Sequence, residues 1–240
     1  MTTTAPARPR VLWLPFVPYI VLSVVHVWAL FTQNMALAAP TKLGLMPLLA
    51  IAVVLNSRRI TRTAPIAILL FAIFFSWLGD GAGTFVPFLP TVPMMLLFFG
   101  IAHLAYILLF TRHVAVRPWP KAALIYVLWW GAMLAVIGPH TGGLLIGVAL
   151  YGIVLGLTAA TATRGNLIVI LGGVFFLVSD SVLAFQLFAP DMVGSWTSPV
   201  VMLTYTLGQG LIAFGALAHI RRARDDRNKP TARDRQLVTE

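Results

Sequence analysis

The sequence predicts an all-α fold, a polytopic membrane protein whose eight transmembrane helices form one bundle. Three observations predict this fold. Of the 240 residues, 59% are hydrophobic and only 10% are charged, which is more apolar surface than a water-soluble domain of this length can bury. Apolar runs of roughly bilayer length recur between short polar breaks. Nearly all basic residues fall in the tails and in every second break.

Polar or helix-breaking residues bound each of the first four apolar runs. The first run lies between Arg10 and the polar triplet that begins at Thr32. The second is the shortest, because Lys42 and Pro47 delay its start. The third ends at Asp80, between two glycines, and the fourth follows a proline-rich loop. These four predicted spans are 11–31, 43–56, 64–80 and 92–110.

The last four apolar runs are bounded in the same way. Lys121 opens the fifth run, and Gly138 with Pro139 separates it from the sixth. Arg164 divides the sixth run from the seventh, and the eighth stops before Arg221. These four predicted spans are 121–138, 142–163, 166–188 and 198–220.

The basic residues predict the orientation of the bundle. Of the 17 lysines and arginines, 16 lie in the two tails or in the breaks after spans two, four and six, and Lys42 is the exception. The positive-inside rule assigns those segments to the cytoplasm, so both termini are predicted to be cytoplasmic. We expect a short N-terminal tail over 1–10, a membrane domain over 11–220, and a basic, disordered tail over 221–240.

Charge and composition exclude several classes of function. The net charge of +10 lies in tails and breaks that face water and lipid headgroups, so it does not indicate nucleic-acid binding. The absence of cysteine excludes a thiolate nucleophile and cysteine-ligated zinc. The first apolar run, at about 20 residues, is longer than the hydrophobic region of a signal peptide, so no cleavage is expected. We therefore expect a multi-pass protein of the cell membrane, plasma or inner.

Two carboxyl groups are the strongest candidates for a functional site. Four of the seven acidic residues lie in the C-terminal tail, and Asp191 lies in a loop. Only Asp80 and Asp180 remain within or at the edge of spans. A carboxylate in the hydrocarbon layer is costly to bury, so it usually faces a cavity and has a function. The alternative for Asp80 is a structural role at a helix end between Gly79 and Gly81.

The polar residues of the spans are predicted to share one layer of the membrane. A rise of 1.5 Å per residue places Asp80 about 24 Å, and Asp180 and His26 about 21 Å, from the inner ends of their helices. Four other polar side chains are also predicted to lie in the outer half or the middle of the bilayer: Lys42, His103, Tyr205 and Gln209. Each of them also has a structural interpretation, since a buried histidine or serine can bond to nearby backbone.

Five segments carry a family resemblance: Thr41–Pro47, Ser76–Asp80, Phe99–Tyr106, Phe175–Ser181 and Thr204–Gln209. In this order they resemble the YhhN family, the transmembrane lysoplasmalogenase-like proteins. The Gly-Asp, Ala-His-x-x-Tyr and Ser-Asp-Ser elements are fairly specific together and weak singly. The resemblance implies hydrolysis of the vinyl-ether bond of a lysophospholipid, which releases a fatty aldehyde and a glycerophospho-alcohol. It implies no cofactor and no metal.

Vinyl-ether hydrolysis needs a positioned acid, a base for water, and no covalent nucleophile. Two carboxyl groups in a low-dielectric site suit it, because burial and a like-charged neighbour keep one protonated while the other stays ionised. We expect Asp80 and Asp180 to form this pair, with His103 and Tyr106 orienting them. Lys42, with Tyr205 or Gln209, would hold the lipid phosphate. Ser179, Ser181 and His26 complete the candidates for binding or tuning.

Other classes of function would also use intramembrane carboxylates. A proton-coupled transporter of small molecules or lipids is the main alternative. An intramembrane aspartyl protease fits poorly, because Trp77 occupies the place of the first glycine in the Gly-x-Gly-Asp signature. A metal-dependent lipid hydrolase lacks the expected His-x-x-x-His pairs. Non-catalytic lipid binding remains a further possibility.

Overall fold

The computed structural model describes residues 12–58, 60 and 63–227, and within them it is all-helical. The main helices are α1 Val17–Phe31, α2 Met35–Ser57, α3 Thr63–Asp80, α4 Thr91–Leu109, α5 Ile125–Ile137, α6 Leu145–Ala162, α7 Leu167–Phe188 and α8 Thr197–Arg227. Together with the short turns that extend some of them, eight segments are long and apolar enough to cross a bilayer. The predicted fold class is confirmed, and the cytoplasmic position of the termini stays a prediction.

The second helix begins earlier than predicted. It starts at Met35 rather than at 43, because the side chain of Asn34 accepts a hydrogen bond from the backbone nitrogen of Leu37 and caps the helix. Two prolines, Pro40 and Pro47, lie inside the helix without ending it, as transmembrane helices tolerate. Lys42 therefore lies inside α2 and not at its outer start.

The eighth helix ends later than predicted. It continues from the expected end at 220 to Arg227. The guanidinium of Arg221 donates to the backbone oxygen of Asn56 on α2 at 2.6 Å, so the first residue of the expected tail is anchored. The N-terminal tail over 1–10 and the rest of the basic tail, 228–240, lie outside the described residues.

The closest helix pair is α7 with α8, and two glycines allow the approach. A Cβ atom on Gly172 would lie 2.8 Å from the backbone nitrogen of Ile212. A Cβ atom on Gly208 would lie 2.9 Å from the backbone nitrogen of Phe176. Small residues at such contacts are the usual basis of helix packing in membranes, where lipid and side chains are equally apolar. The pair holds Asp180 and Tyr205 on two closely packed helices.

Helix α8 is the central element of the bundle. It packs against α7, α1, α2 and α3, and 67% of its most apolar stretch is buried. Helix α5 is peripheral: it packs on α6 and α7, and only 11% of its stretch is buried. The central position of α8 brings its polar residues into the interior, where they meet the ends of α3 and α7.

Candidate active site

One polar cavity collects most of the predicted site residues. It has a volume of about 300 Å³ and lies among α1, α2, α3, α4, α7 and α8. Polar side chains that line it are His26, Lys42, Asp80, Ser179, Asp180, Gln186, Ser198 and Tyr205. Apolar side chains such as Met95 and Phe99 complete the wall. The carboxyl groups of α3 and α7, 100 residues apart in the chain, thus face the same space.

Asp180 is held by a tyrosine and a histidine from two other helices. The hydroxyl of Tyr151 on α6 donates a hydrogen bond to Asp180 Oδ2. The Nε2 atom of His103 on α4 lies 3.5 Å from the same oxygen and 3.3 Å from the tyrosine hydroxyl. Because both contacts fall on Oδ2, Oδ1 remains available to a ligand in the cavity.

Hydrogen-bond geometry assigns the tautomer of His103. The hydroxyl of Thr158 donates to the backbone oxygen of Val154 at 2.8 Å, so its oxygen accepts from His103 Nδ1 at 3.1 Å. The other ring nitrogen, Nε2, is the one that faces Asp180. His103 is fully buried and does not line the cavity, so it acts through Asp180 rather than on a ligand.

Asp80 ends α3 and belongs to a second polar cluster. The hydroxyl of Tyr205 donates to Asp80 Oδ2 at 2.7 Å. The amide nitrogen of Gln209 lies 3.4 Å from the Tyr205 hydroxyl and 2.9 Å from the hydroxyl of Ser76. Tyr106 donates to the amide oxygen of Gln209. Hydrogen bonds therefore hold Asp80 in place from the interior of the bundle.

The structure defines the contacts of two predicted site residues at this cluster. Gln209 was expected to help hold a phosphate, but it is fully buried and does not line the cavity. Its amide group is used by neighbouring side chains, so no group remains for a ligand. Tyr106 is predicted to orient or tune the carboxyl pair, and its hydroxyl reaches Asp80 through Gln209 and Tyr205.

An aromatic wall separates the two clusters. The ring of Phe176 lies 4.7 Å from that of His103 and 5.5 Å from that of Tyr205, measured between centroids. Phe99 meets the Tyr205 ring edge-on at 6.1 Å. These apolar rings fill the space behind the two carboxyl groups. The cavity is therefore the place where a ligand can contact both.

Lys42 is the positively charged residue among those that line the cavity. It projects from α2 and is partly buried. Among the described residues, no carboxylate lies within ion-pair distance of its ammonium group. A partly buried ammonium without an acidic partner is suited to bind an anionic ligand group.

The two serines beside Asp180 have different environments. Ser179 lines the cavity, and its hydroxyl donates to the backbone oxygen of Val201 on α8 at 3.0 Å. Ser181 lines the adjoining apolar pocket instead: it donates to Leu177 of its own helix at 2.6 Å and accepts from the indole of Trp129 at 3.1 Å. The structural interpretation therefore describes Ser181 better than direct ligand binding in the cavity.

A second, apolar pocket adjoins the polar cavity. It lies among α4, α5, α6 and α7 and is lined by side chains that include Trp129, Trp130, Met133, Leu134, Leu187 and Phe188. Four residues line both spaces: Met95, Phe99, Asp180 and Leu183. Asp180 is the one carboxyl group among the described residues of the apolar pocket. It therefore lies at the boundary between a polar and an apolar binding space.

His26 from α1 completes the cavity wall. Its Nδ1 atom lies 2.9 Å from the hydroxyl of Thr41 on α2. Its Nε2 atom is buried and has no hydrogen-bond partner among the described residues. Sequence analysis placed His26 at the depth of the two carboxyl groups, and the structure brings it to the same cavity.

Sequence analysis missed Tyr151 as a site residue. Tyr151 and Thr158 lie seven residues apart on α6, which places both on one face of that helix. Both contact the ring nitrogens of His103. A polar stripe at this spacing on an otherwise apolar helix was the signal that could have indicated them.

The comparisons with known proteins add one match. The sequence model of the YhhN family matches residues 37–216, a range that includes every predicted site residue except His26. No curated protein and no solved structure matches the chain. The matched range runs from the first turn of α2 into α8.

Proposed function

The chain belongs to the YhhN family, and we propose that it is a membrane-embedded hydrolase of lysoplasmalogen-type lipids. The reaction would cleave the vinyl-ether bond with water and release a fatty aldehyde and a glycerophospho-alcohol. The observation that carries the proposal is the pair of carboxyl groups, Asp80 and Asp180, on one cavity inside the bundle. This pair supplies the acid and the base that the reaction needs, without a covalent nucleophile.

We assign the acid role to Asp180 because of its place between the two binding spaces. In a vinyl ether the carbon that accepts the proton lies on the hydrocarbon side of the bond, and the ether oxygen lies on the glycerol side. A lipid with its chain in the apolar pocket and its headgroup in the polar cavity would place this bond at Asp180. Asp80 lines the polar cavity and not the apolar pocket.

The two carboxyl groups can supply and accept every proton that the reaction transfers. Protonated Asp180 gives its proton to the β-carbon, and an oxocarbenium ion forms at the carbon bound to oxygen. Water attacks that carbon while the Asp80 carboxylate takes a water proton, which gives a hemiacetal. The hemiacetal hydroxyl then returns a proton to Asp180, and Asp80 protonates the departing glycerol oxygen. Both carboxyl groups end as they began.

The remaining side chains have supporting roles. Lys42 would hold the lipid phosphate, because its ammonium group faces the cavity without an acidic partner among the described residues. Tyr151 and His103 position the Asp180 carboxyl group through contacts to Oδ2. Tyr205 positions Asp80 in the same way.

The direct test replaces each carboxyl group by its amide. Asp80→Asn and Asp180→Asn keep the size of the side chain and remove its acid–base capacity. Each should lower aldehyde release from a 1-alkenyl lysophospholipid at least about 100-fold, the lower range for loss of general acid–base catalysis. Asp191→Asn is the matched control, since Asp191 is an exposed residue of the turn after α7.

The outcome separates hydrolysis from transport. Retained aldehyde release in either cavity variant, with both purifying as folded protein, would overturn the carboxyl pair. A proton-coupled transporter would instead show substrate-dependent proton flux in liposomes and no aldehyde. The hydrogen-bond chain from Asp80 ends at Tyr106, whose ring stacks on Phe110 at 5.9 Å, and this apolar end favours the hydrolase.

A further inference from the structure

His26 lines the cavity and has no part in the proposed reaction. Its side chain is 1% exposed, and its Nε2 atom has no hydrogen-bond partner among the described residues. Buried polar atoms in folded proteins are nearly always paired, so an unpaired one in a residue that lines a cavity is able to pair with a ligand group. The same cavity holds Lys42, Asp80 and Asp180.

The neighbouring threonine determines which ring nitrogen carries the proton. The hydroxyl of Thr41 donates to backbone oxygens of its own helix, to Leu37 at 2.7 Å or to Ala38 at 3.0 Å. Its oxygen must therefore accept from His26 Nδ1 at 2.9 Å. In the neutral ring this leaves a lone pair on Nε2. The group that completes the site is consequently a hydrogen-bond donor.

The proposed substrate class offers one donor at the required place. A lysophospholipid with a vinyl ether on its first glycerol carbon and a phosphate on its third carries a free hydroxyl on the carbon between them. With the phosphate at Lys42 and the vinyl ether at the carboxyl pair, this hydroxyl lies in the part of the cavity that His26 also lines. An ester or a hydrogen atom at that carbon could not donate.

We propose that His26 accepts a hydrogen bond from the free central hydroxyl of the lysolipid and thereby selects lipids that carry this hydroxyl. The inference rests on the proposed substrate class, but it does not rest on hydrolysis. His26 lies outside the range that matches the family, so its role is assigned from the cavity alone. A site built to pair a hydroxyl discriminates against the analogue without it, because the protein acceptor then stays buried and unpaired.

The test compares two lipids that cannot be cleaved. The first is a saturated 1-alkyl ether lysophospholipid with the free hydroxyl, and the second is the same lipid with a 1,3-propanediol backbone that lacks it. Wild-type protein in detergent should bind the first about tenfold more tightly, the effect of one buried hydrogen bond. His26→Phe should bind the two lipids with equal affinity, and His140→Gln, at an exposed histidine, should keep the tenfold preference.

The wild-type comparison can overturn the role of His26 even where a variant fails to fold, and the His26→Phe comparison assigns the preference to this residue. Equal binding of the two lipids by the wild type, or no binding of either, overturns the role of His26, as does a preserved preference in His26→Phe. A tenfold preference that is lost in His26→Phe, without aldehyde release from the alkenyl lipid, supports His26 and overturns the hydrolase. Aldehyde release without the preference supports the hydrolase and overturns the role of His26.

Discussion

At the scale of single residues, the two carboxyl groups differ in what surrounds them. Asp180 contacts an imidazole and a phenol on one oxygen and borders an apolar pocket. Asp80 contacts a single phenol and borders only the polar cavity. Different environments are what allow two identical side chains to serve as acid and base. The proposed assignment of Asp180 as the acid rests on its position at the boundary between the two binding spaces.

Removing the Tyr151 hydroxyl should impair the acid without removing it. Tyr151→Phe deletes the donor to Asp180 Oδ2 and leaves the aromatic packing in place. We expect kcat for aldehyde release to fall about tenfold with KM nearly unchanged, because one hydrogen bond that positions the acid is lost. Steady-state kinetics with an alkenyl lysophospholipid measures both quantities.

The control for this variant is Tyr126→Phe. Tyr126 lies in a groove between α5 and α6 and does not line the polar cavity. Its loss of a hydroxyl should leave both kinetic parameters unchanged. An equal loss in the two variants would indicate a general effect on folding, and an unchanged Tyr151→Phe would refute the positioning role.

At the scale of helices, the contact between α7 and α8 sets the shape of the site. Asp180 and Ser179 on α7 face the same cavity as Tyr205 on α8 because the two helices approach closely along Gly172 and Gly208. Ser179 adds a hydrogen bond across this contact. A small separation of these helices would move one carboxyl group relative to the tyrosine that positions the other.

Widening this contact should destabilise the protein. In Gly208→Ala the new Cβ would lie 2.9 Å from a backbone nitrogen of α7, a distance that forces the helices apart. Overpacking of this kind costs roughly 1–3 kcal/mol of unfolding free energy. Thermal unfolding in detergent should show a lower midpoint, with reduced aldehyde release at temperatures where the protein is still folded.

Gly100→Ala is the matched control on α4. No heavy atom lies within 4 Å of a Cβ atom built at Gly100, so the same substitution meets open space there. It should leave the unfolding midpoint unchanged or raise it slightly, since alanine favours helix more than glycine does. A similar loss of stability at both glycines would contradict the role of the α7–α8 contact.

At the scale of the whole molecule, the bundle encloses polar chemistry within an apolar exterior. The cavity lies among six of the eight helices, and α5 stays at the periphery beside the apolar pocket. A lipid bound across both spaces would have its headgroup in the interior and its chain towards the edge of the bundle. This arrangement is suited to a substrate that enters from the bilayer.

The predicted orientation can be measured with introduced cysteines, because the chain has none of its own. Val116→Cys lies in the break after span four, and Gly143→Cys lies next to the break after span five. A membrane-impermeant maleimide added to intact cells should label the second and spare the first, since the positive-inside rule places them on opposite sides. The wild-type chain is the unlabelled control. Labelling of Val116→Cys alone would reverse the predicted orientation.

The sequence by itself determined the number of helices and the identity of the buried carboxyl groups. Both depend on the pattern of apolar and polar residues along the chain. The hydrocarbon layer requires long apolar segments and makes a charged residue within them costly, so this pattern is easy to recognise. Boundaries differed where local rules conflicted: Lys42 and Pro47 indicated a late start for α2, whereas the cap at Asn34 starts it early.

Only the tertiary structure decided which way each helix faces. In a membrane, the side that packs on other helices and the side that meets lipid are both apolar, so hydropathy does not reveal rotation about the helix axis. Gln209 and Tyr205, four residues apart on α8, looked equivalent in the sequence, yet only Tyr205 lines the cavity. Tyr151 is not among the residues predicted from the sequence, yet it contacts Asp180. These roles depend on contacts between helices far apart in the chain.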